Sequence, residues 1–161
     1  MTNWKQAKTE AESLISKHSI LLPVVNVFDL AKRESITIEY RKFSGSDQGV
    51  AGFLVEDSKT IYLNVDDAPT RQVYTVAHEL GHHFLGHSPT AYAVYRKDDF
   101  GREKNDEEKE ADYFAANLLM PEKMIKDEMR RLGLTKDAIS ALALRFGVSP
   151  SAMKYRLQAI K

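Results

Sequence analysis

Apolar residues near the start of the chain recur at intervals of three and four positions, the spacing of an amphipathic helix. This spacing predicts a helix over positions 3–18, whose inward face carries Trp4, Ala7, Ala11, Leu14 and Ile15. After the break at Pro23, a shorter helix is predicted over positions 26–34, with Asn26 as its N-cap. Both helices are expected to be structural.

The period changes from position 36, where β-branched and aromatic residues become frequent. The stretches SITIEY, GVAGFLVE and TIYLNVD are separated by SGSDQG and DSK, whose composition is typical of turns. The pattern therefore predicts a small antiparallel sheet of about three strands, packed against helices.

Helical spacing returns after Pro69, a helix-start signal, and continues to Gly86 with inward residues Val73, Val76, Ala77, Leu80 and Phe84. The charged segment over positions 88–106 predicts a surface loop. A further helix is predicted from Asp106 to the region of Pro121, with Ala111, Phe114, Ala115, Leu118 and Leu119 on one face.

The C-terminal segment predicts a helix, a tight turn at Gly147, and a second helix opened by Ser149 and Pro150. The whole pattern predicts an α+β fold that ends in a helix-turn-helix-like pair. We expect one domain over residues 1–161, made of N-terminal helices (1–35), a sheet with the site helices (36–121) and a C-terminal subdomain (122–161).

Composition narrows the function classes. A chain of 161 residues with 43% hydrophobic residues is long enough to bury one ordinary core. It has no cysteine, so any metal must be held by imidazole and carboxylate groups rather than by thiolates. No apolar run approaches the length needed to cross a bilayer, and we expect a soluble cytoplasmic protein. The net charge of zero argues against nucleic-acid binding by bulk electrostatics.

The sequence HELGH lies within the helix predicted after Pro69. Because residues four apart lie on the same side of a helix, His78 and His82 project side by side and can both reach one zinc ion. Glu79 points elsewhere and is predicted to be the base that deprotonates the attacking water, whose pKa the zinc lowers. This arrangement is typical of a metallopeptidase.

A catalytic zinc needs a third protein ligand and one open position. His87 is one position out of register with the metzincin pattern, and His83 points about 100° away from His82. The remaining candidates are Glu107, Glu108 and Glu110, at the start of the next predicted helix. The apolar face of that helix passes near Glu107 and Glu108 but away from Glu110. Glu108 is favoured because Asp112, one turn later, could accept a hydrogen bond from a ligating imidazole.

Three stretches resemble the ImmA/IrrE family of zinc metallopeptidases: TVAHELGHHFLGH, EKEADYFAANLLMP and LALRFGVSPSAMKYRL. The segment GVAGFLVEDSKTIYLN is also similar, so the resemblance spans roughly positions 25–158. It implies a compact zincin-like fold, one zinc ion with manganese as a possible substitute, metal ligands at His78, His82 and Glu108, and a catalytic Glu79.

Characterised members of that family cleave helix-turn-helix transcriptional repressors, which releases stress-response or mobile-element genes. The resemblance therefore implies a protein substrate that is itself a DNA-binding repressor. We expect the substrate to lie as an extended strand along TIYLNVD, taken to be the exposed edge of the sheet. The candidates for stabilising the oxyanion are Tyr92, Tyr95 and Tyr113. No oligomeric state is predicted.

A second hypothesis is a DNA-binding regulator, or an interaction module, with a structural or vestigial zinc site. Residues 122–161 carry nine Lys or Arg against four Asp or Glu, and Val148, Met153 and Leu157 face inward in a helix-turn-helix pattern. However, the would-be recognition helix ends at the last residues of this sequence, and its family counterpart belongs to the peptidase domain. These points argue against direct DNA binding.

Overall fold

A computed structural model describes residues 1–87, 95–96 and 105–160 of the protein. Within these residues the helices are α1 (Trp4–Lys17), α2 (Val27–Arg33), α3 (Pro69–Leu85), α4 (Asp106–Leu119), α5 (Glu122–Leu132), α6 (Ile139–Phe146) and α7 (Pro150–Ala159). The strands are β1 (Thr37–Arg41), β2 (Val50–Val55), β3 (Thr60–Asn64) and β4 (Tyr95–Arg96), with a short 3-10 turn at Gly45–Asp47. The α+β composition is as predicted.

The sheet is mixed, in the order β1-β3-β2-β4. β2 and β3 form an antiparallel hairpin with Leu54 opposite Ile61, whereas β1 runs parallel to β3 with Ile38 opposite the same residue. The expectation of a wholly antiparallel sheet is therefore wrong for β1. The reason is that β2, which follows the connecting residues 42–49, does not lie next to β1. A space for one strand is left between β1 and β2, and β3 fills it.

The prediction that TIYLNVD forms an exposed edge is also wrong. β3 has a strand on each side, and Ile61 and Leu63 are fully buried. An alternating apolar pattern shows that one face of a strand is covered, but it carries no information on how many neighbours the strand has. The described edges of the sheet are β1 and β4.

The helix ends follow the capping residues in the sequence. The side chain of Asn26 accepts a hydrogen bond from the Asp29 backbone N–H at 3.0 Å, and Ser149 Oγ accepts one from the Ala152 N–H at 3.2 Å. Gly86 ends α3 in the left-handed conformation, with φ of 65°. Local chemistry thus sets where these helices begin and end.

A continuous apolar core runs from Ala7 in α1 to Ile160 after α7. The predicted inward residues of the C-terminal pair, Val148, Met153 and Leu157, are all buried in it. Helix α5 has no counterpart in the sequence-based prediction, because its long charged side chains surround a narrow apolar stripe that buries Ile125. Within the described residues, no helix is long and apolar enough to cross a membrane.

Two glycines allow the helix that carries HELGH to approach its neighbours. A Cβ at Gly52 in β2 would lie 2.7 Å from Thr75 Cγ2, so glycine lets α3 lie against the sheet. A Cβ at Gly81 would lie 3.0 Å from the Cα of Ala111 in α4. The close α3–α4 crossing at Gly81 brings the start of α4 to the histidines of α3.

Candidate metal centre

Three side chains from α3 and α4 converge at this crossing: His78, His82 and Glu108. The two histidine Nε2 atoms lie 3.1 Å apart. Glu108 Oε2 lies 3.2 Å from His78 Nε2, and its Oε1 lies 3.3 Å from His82 Nε2. His78 is fully buried and His82 is 8% exposed. The sequence spacing predicted that the two histidines lie side by side, and the crossing of α3 and α4 brings the Glu108 carboxylate to them.

These separations are close to those between the ligand atoms of a tetrahedrally coordinated metal ion. Bonds of about 2.0–2.2 Å from zinc to nitrogen and oxygen place tetrahedral ligand atoms about 3.3–3.6 Å apart. The three observed separations lie at or just below that range, and they involve two imidazoles and one carboxylate. The donor set and its spacing therefore fit a divalent metal ion.

The second ring nitrogen of His78, Nδ1, contacts a carboxylate. Asp112 Oδ1 lies 3.0 Å from His78 Nδ1 and also accepts a hydrogen bond of 3.2 Å from the Tyr74 hydroxyl. This is the contact that the sequence predicted for Asp112. It directs Nε2 of His78 toward Glu108, an arrangement that is common behind metal-binding histidines.

The site favours positive charge. Burial lowers the pKa of His78, but hydrogen bonds to Asp112 and Glu108 outweigh burial and raise it to about 10. Burial raises the pKa of Glu108. Its hydrogen bonds with His78 and His82 outweigh burial and hold the pKa of that carboxyl well below its usual range. Two carboxylates thus face two imidazoles in a buried space, which suits a bound cation.

Glu79 is 1% exposed, next to His78 in α3, and its carboxylate is close enough to β2 to accept a hydrogen bond from the Leu54 backbone. Burial raises its pKa to about 7, although the charge of His78 and a hydrogen bond from the backbone of Leu54 act against this. Among the described residues, Glu79 Oε1 has no hydrogen-bond partner. A buried carboxylate with a pKa near neutrality and an unused acceptor is suited to accept a proton.

His87 and Glu110 form a second contact chain that the sequence did not predict. His87 Nδ1 lies 2.9 Å from His82 Nδ1, and His87 Nε2 lies 3.0 Å from Glu110 Oε2. Glu110 also accepts a hydrogen bond from the backbone N–H of Asn3. The sequence analysis rejected both residues as ligands, and in the structure His87 contacts His82 while Glu110 contacts His87. Gly86, which ends α3, could have signalled that His87 folds back.

The remaining candidates lie apart from this cluster or outside the described residues. His83 Nδ1 contacts Glu56 in the β2–β3 turn at 2.9 Å. The ring of Tyr113 packs edge-on against Trp4, with centroids 5.1 Å apart. Tyr92 lies outside the described residues, and for Tyr95 only the strand backbone is described. The oxyanion role of these tyrosines stays a prediction.

The family model of the IrrE N-terminal-like domain, Peptidase_M78, matches residues 31–158. The chain belongs to this family. It is 26% identical over 160 residues to Metallopeptidase ImmA of Bacillus subtilis, covering 97% of this chain and 86% of that protein. It is 33% identical over 102 residues to the Radiation response metalloprotease IrrE of Deinococcus radiodurans, covering 63% of this chain and 31% of that protein.

The IrrE protein of Deinococcus deserti is 28% identical over 153 residues, covering 94% of this chain and 53% of that protein. The chain thus spans only about a third to a half of the two IrrE proteins. The predicted membership of the ImmA/IrrE family is confirmed. The family is one of peptidases, and the three converging side chains could hold a metal ion.

A solved structure, a Mycobacterium tuberculosis transcriptional regulator, has a similar fold. Its TM-score is 0.61 at 15% sequence identity, covering 91% of this chain and 44% of that chain. At this identity the likeness shows the fold alone. It supports the α+β fold predicted for this ImmA/IrrE family member.

Proposed function

We propose that this protein is a zinc-dependent endopeptidase that cleaves a helix-turn-helix transcriptional repressor and thereby releases stress-response or mobile-element genes. The observation that carries the peptidase proposal is the set of 3.1–3.3 Å separations among His78, His82 and Glu108 beside the buried carboxylate of Glu79. The repressor substrate and a cytoplasmic location, where such a repressor acts, rest on the family resemblance. The domain proposed to act is the whole of residues 1–161.

In this proposal His78, His82 and Glu108 hold the metal, while Asp112 fixes the ring of His78. Zinc suits a nitrogen and oxygen donor set without thiolate, and manganese is the possible substitute. When bound, the ion supplies Lewis acidity to the peptide carbonyl and to water. The chain itself supplies three ligand atoms, which leaves room for the reacting groups.

Glu79 is proposed to move the protons. Its pKa of about 7 allows the carboxylate to take a proton from the attacking water and then to return it to the leaving amine. The hydrogen bond from Leu54 holds the side chain against β2, and burial excludes bulk water from it. The general acid and general base are therefore the same residue at two stages of peptide hydrolysis.

The substrate strand is proposed to lie along β2 rather than β3. Among the described residues β4 pairs only with Val50 and Gly52, and the following part of β2 carries the Leu54 backbone that bonds to Glu79. An extended peptide added beside Phe53–Val55 would be held by main-chain hydrogen bonds next to the catalytic carboxylate. This replaces the sequence-based choice of TIYLNVD, which is a central strand.

The C-terminal helix pair offers less support for DNA recognition. Arg156, in the middle of α7, is 5% exposed and donates to Met120 O and Asn117 Oδ1, both at 2.9 Å. Met153 and Leu157 are buried beside it. Because α7 uses these side chains to pack against the rest of the protein, fewer remain to read a DNA groove.

The decisive experiment mixes the purified protein, loaded with zinc or manganese, with helix-turn-helix repressors encoded beside its gene. We expect one repressor to be cut into two fragments, and cleavage to be lost after chelation and in Glu79→Gln, which still binds metal. Glu122→Gln, which changes a partly exposed carboxylate of α5, is the matched control and should cleave normally.

Each other result overturns a distinct part of the proposal. Full cleavage by Glu79→Gln would reject the role of Glu79. Cleavage of unfolded casein but of no repressor would reject the repressor substrate and keep the peptidase. Failure to cleave either, together with a salt-dependent shift of duplex DNA, would favour the regulator hypothesis.

A further inference from the structure

A cavity lies among α1, α3, α4 and α7. It has a volume of about 640 Å³ and is lined by the start of α1, the first turns of α3, one side of α4 and most of α7. Its lining includes Asp112 but none of His78, Glu79, His82 and Glu108. The cavity is therefore distinct from the metal centre, and Asp112 lies between the two. Its size is within the range of small-molecule sites.

The charged lining of this cavity is mostly positive. Arg71, Lys109 and Arg156 line it together with one carboxylate, Asp112. Asp112 is already engaged by His78 and Tyr74. Two carboxylates whose charges reach Lys109 and Arg156 have other partners: Asp106 pairs with the N-terminal amine at 2.7 Å, and Glu122 pairs with Lys126 at 2.7 Å. This excess of positive charge indicates an anionic ligand.

Arg156 is the most informative of the three cations, because buried guanidinium groups are normally paired with carboxylates. It is 5% exposed, and its Nε and Nη2 donate only to the uncharged acceptors Met120 O and Asn117 Oδ1. Burial lowers its pKa, and the charges of Tyr113, Glu122 and Glu12 act against this from a distance. Glu122 is itself held by Lys126 at 2.7 Å. The Nη1 group of Arg156 keeps its donors without a protein acceptor among the described residues.

The other walls are aromatic and small. Trp4, Tyr74, Tyr113 and Tyr155 line the cavity with alanines from α4 and α7. Trp4 is 43% exposed and Tyr155 is 69% exposed, so both rings are accessible to a ligand in the cavity. Aromatic faces in a space of this size suit a flat apolar group.

We propose that this cavity binds a small organic anion with a flat apolar body. Its anionic group lies at Arg71 and Arg156, and its body lies against Trp4 and Tyr155. Arginine presents paired donors that suit carboxylate, sulfonate and phosphate groups alike, so the charge and the flat body define the ligand class.

The bound ligand is placed to influence the metal centre, a consequence that rests on the proposed function. Tyr74 and Asp112 both line the cavity, and Asp112 holds His78 at 3.0 Å. A ligand that shifts the Tyr74–Asp112 pair changes the orientation of a metal ligand. By linkage, the metal and the anion then change each other's affinity by the same factor.

The test uses naphthalene-1-sulfonate, a flat anion that coordinates metals weakly, and naphthalene-1-methanol as the uncharged control. Trp4 is the single tryptophan of the chain, so its indole N–H resonance reports binding at this cavity without interference. We expect the sulfonate to bind with one-to-one stoichiometry, to shift the Trp4 resonance, and to bind at least tenfold more tightly than the alcohol. Inorganic phosphate alone should bind weakly, because it lacks the flat body.

Arg71→Gln should weaken sulfonate binding at least fivefold, whereas Lys154→Gln, an exposed cation of α7 outside the cavity, should leave it unchanged. Equal binding of sulfonate and alcohol, an unmoved Trp4 resonance, or equal losses in both variants would overturn the proposal. These readouts are independent of peptidase activity, and Glu79→Gln should bind the sulfonate normally. The coupling is checked by the zinc affinity with and without sulfonate, and equal affinities would reject the coupling while retaining the binding site.

Discussion

Helices α4 and α5 follow one another in the chain and are both rich in charged residues, but they use their charges differently. In α4, Glu108, Glu110 and Asp112 reach across to histidines of α3 or of the segment that follows it. In α5 the charges pair mainly within the helix, as in Lys126–Glu122 at 2.7 Å and Lys123–Asp127 at 2.8 Å. The acidic residues of α4 line a buried site, whereas the mixed acidic and basic residues of α5 cover a surface.

The difference lies in what each helix faces. Gly81 lets α3 approach the backbone of α4, so acidic side chains at the start of α4 meet imidazoles in a space that excludes water. The α5 pairs are three or four residues apart and partly exposed, a type of pair that contributes little to stability. A carboxylate becomes part of a site when the tertiary structure brings a complementary group to it.

The sharpest test of this contrast replaces one carboxylate in each helix by an amide. Glu108→Gln should weaken metal binding by about two orders of magnitude or more, because it replaces a charged ligand oxygen with an amide. Glu122→Gln in α5 should leave metal affinity unchanged. Competition with a metal-binding dye measures both, and equal affinities in the two variants would contradict the assignment of Glu108.

Gly81→Ala tests the helix approach itself. The added Cβ would meet Ala111 Cα at 3.0 Å and Phe114 Cδ1 at 3.1 Å, so α3 and α4 must separate. We expect a loss of about 1–3 kcal/mol in unfolding free energy and a weaker metal site. Denaturant unfolding and dye competition check the two effects, and an unchanged variant would show that the crossing tolerates a methyl group.

Asp112→Asn should have a smaller effect on metal binding. The substituted amide retains an oxygen that can accept from His78 Nδ1 but loses the charge, so we expect a weakening of roughly tenfold. Asp127→Asn provides the matched control in α5, where Asp127 pairs with Lys123 at the surface. If both variants bound metal like the parent protein, Asp112 would have no part in fixing His78.

The smallest expected effect is on the stability of the fold, and it concerns Glu128 in α5. Hydrogen bonds from Arg131 and Arg145 lower the pKa of Glu128 from 4.5 to about 2. The carboxylate therefore stabilises the fold above about pH 4.5, and this contribution is lost as the pH falls toward 2. Glu128→Gln should lower the melting temperature slightly at pH 7, by about 2 °C, and by less at pH 3. A difference that grew on acidification would contradict this.

Much of the secondary structure could be predicted from local pattern. The caps at Asn26 and Ser149, the end of α3 at Gly86 and the strand positions follow from short-range chemistry, and each is present in the structure. Helix α5 was missed because few of its apolar residues are buried, so its charges dominate the pattern. The parallel pairing of β1 with β3 was missed because strand order depends on the path of the connecting segments.

By itself the sequence determined the local part of the site: the spacing of His78 and His82 on one helix, the separate direction of Glu79 and the turn of helix that links Glu108 to Asp112. These are consequences of helical geometry and need no partner. Only the tertiary structure decided the contacts between elements. The α3–α4 crossing brought Glu108 within 3.3 Å of both histidines, and the turn after Gly86 placed His87 between His82 and Glu110 of α4. The physical reason is that periodicity reports the direction of a side chain, whereas the identity of its neighbour depends on how distant segments pack.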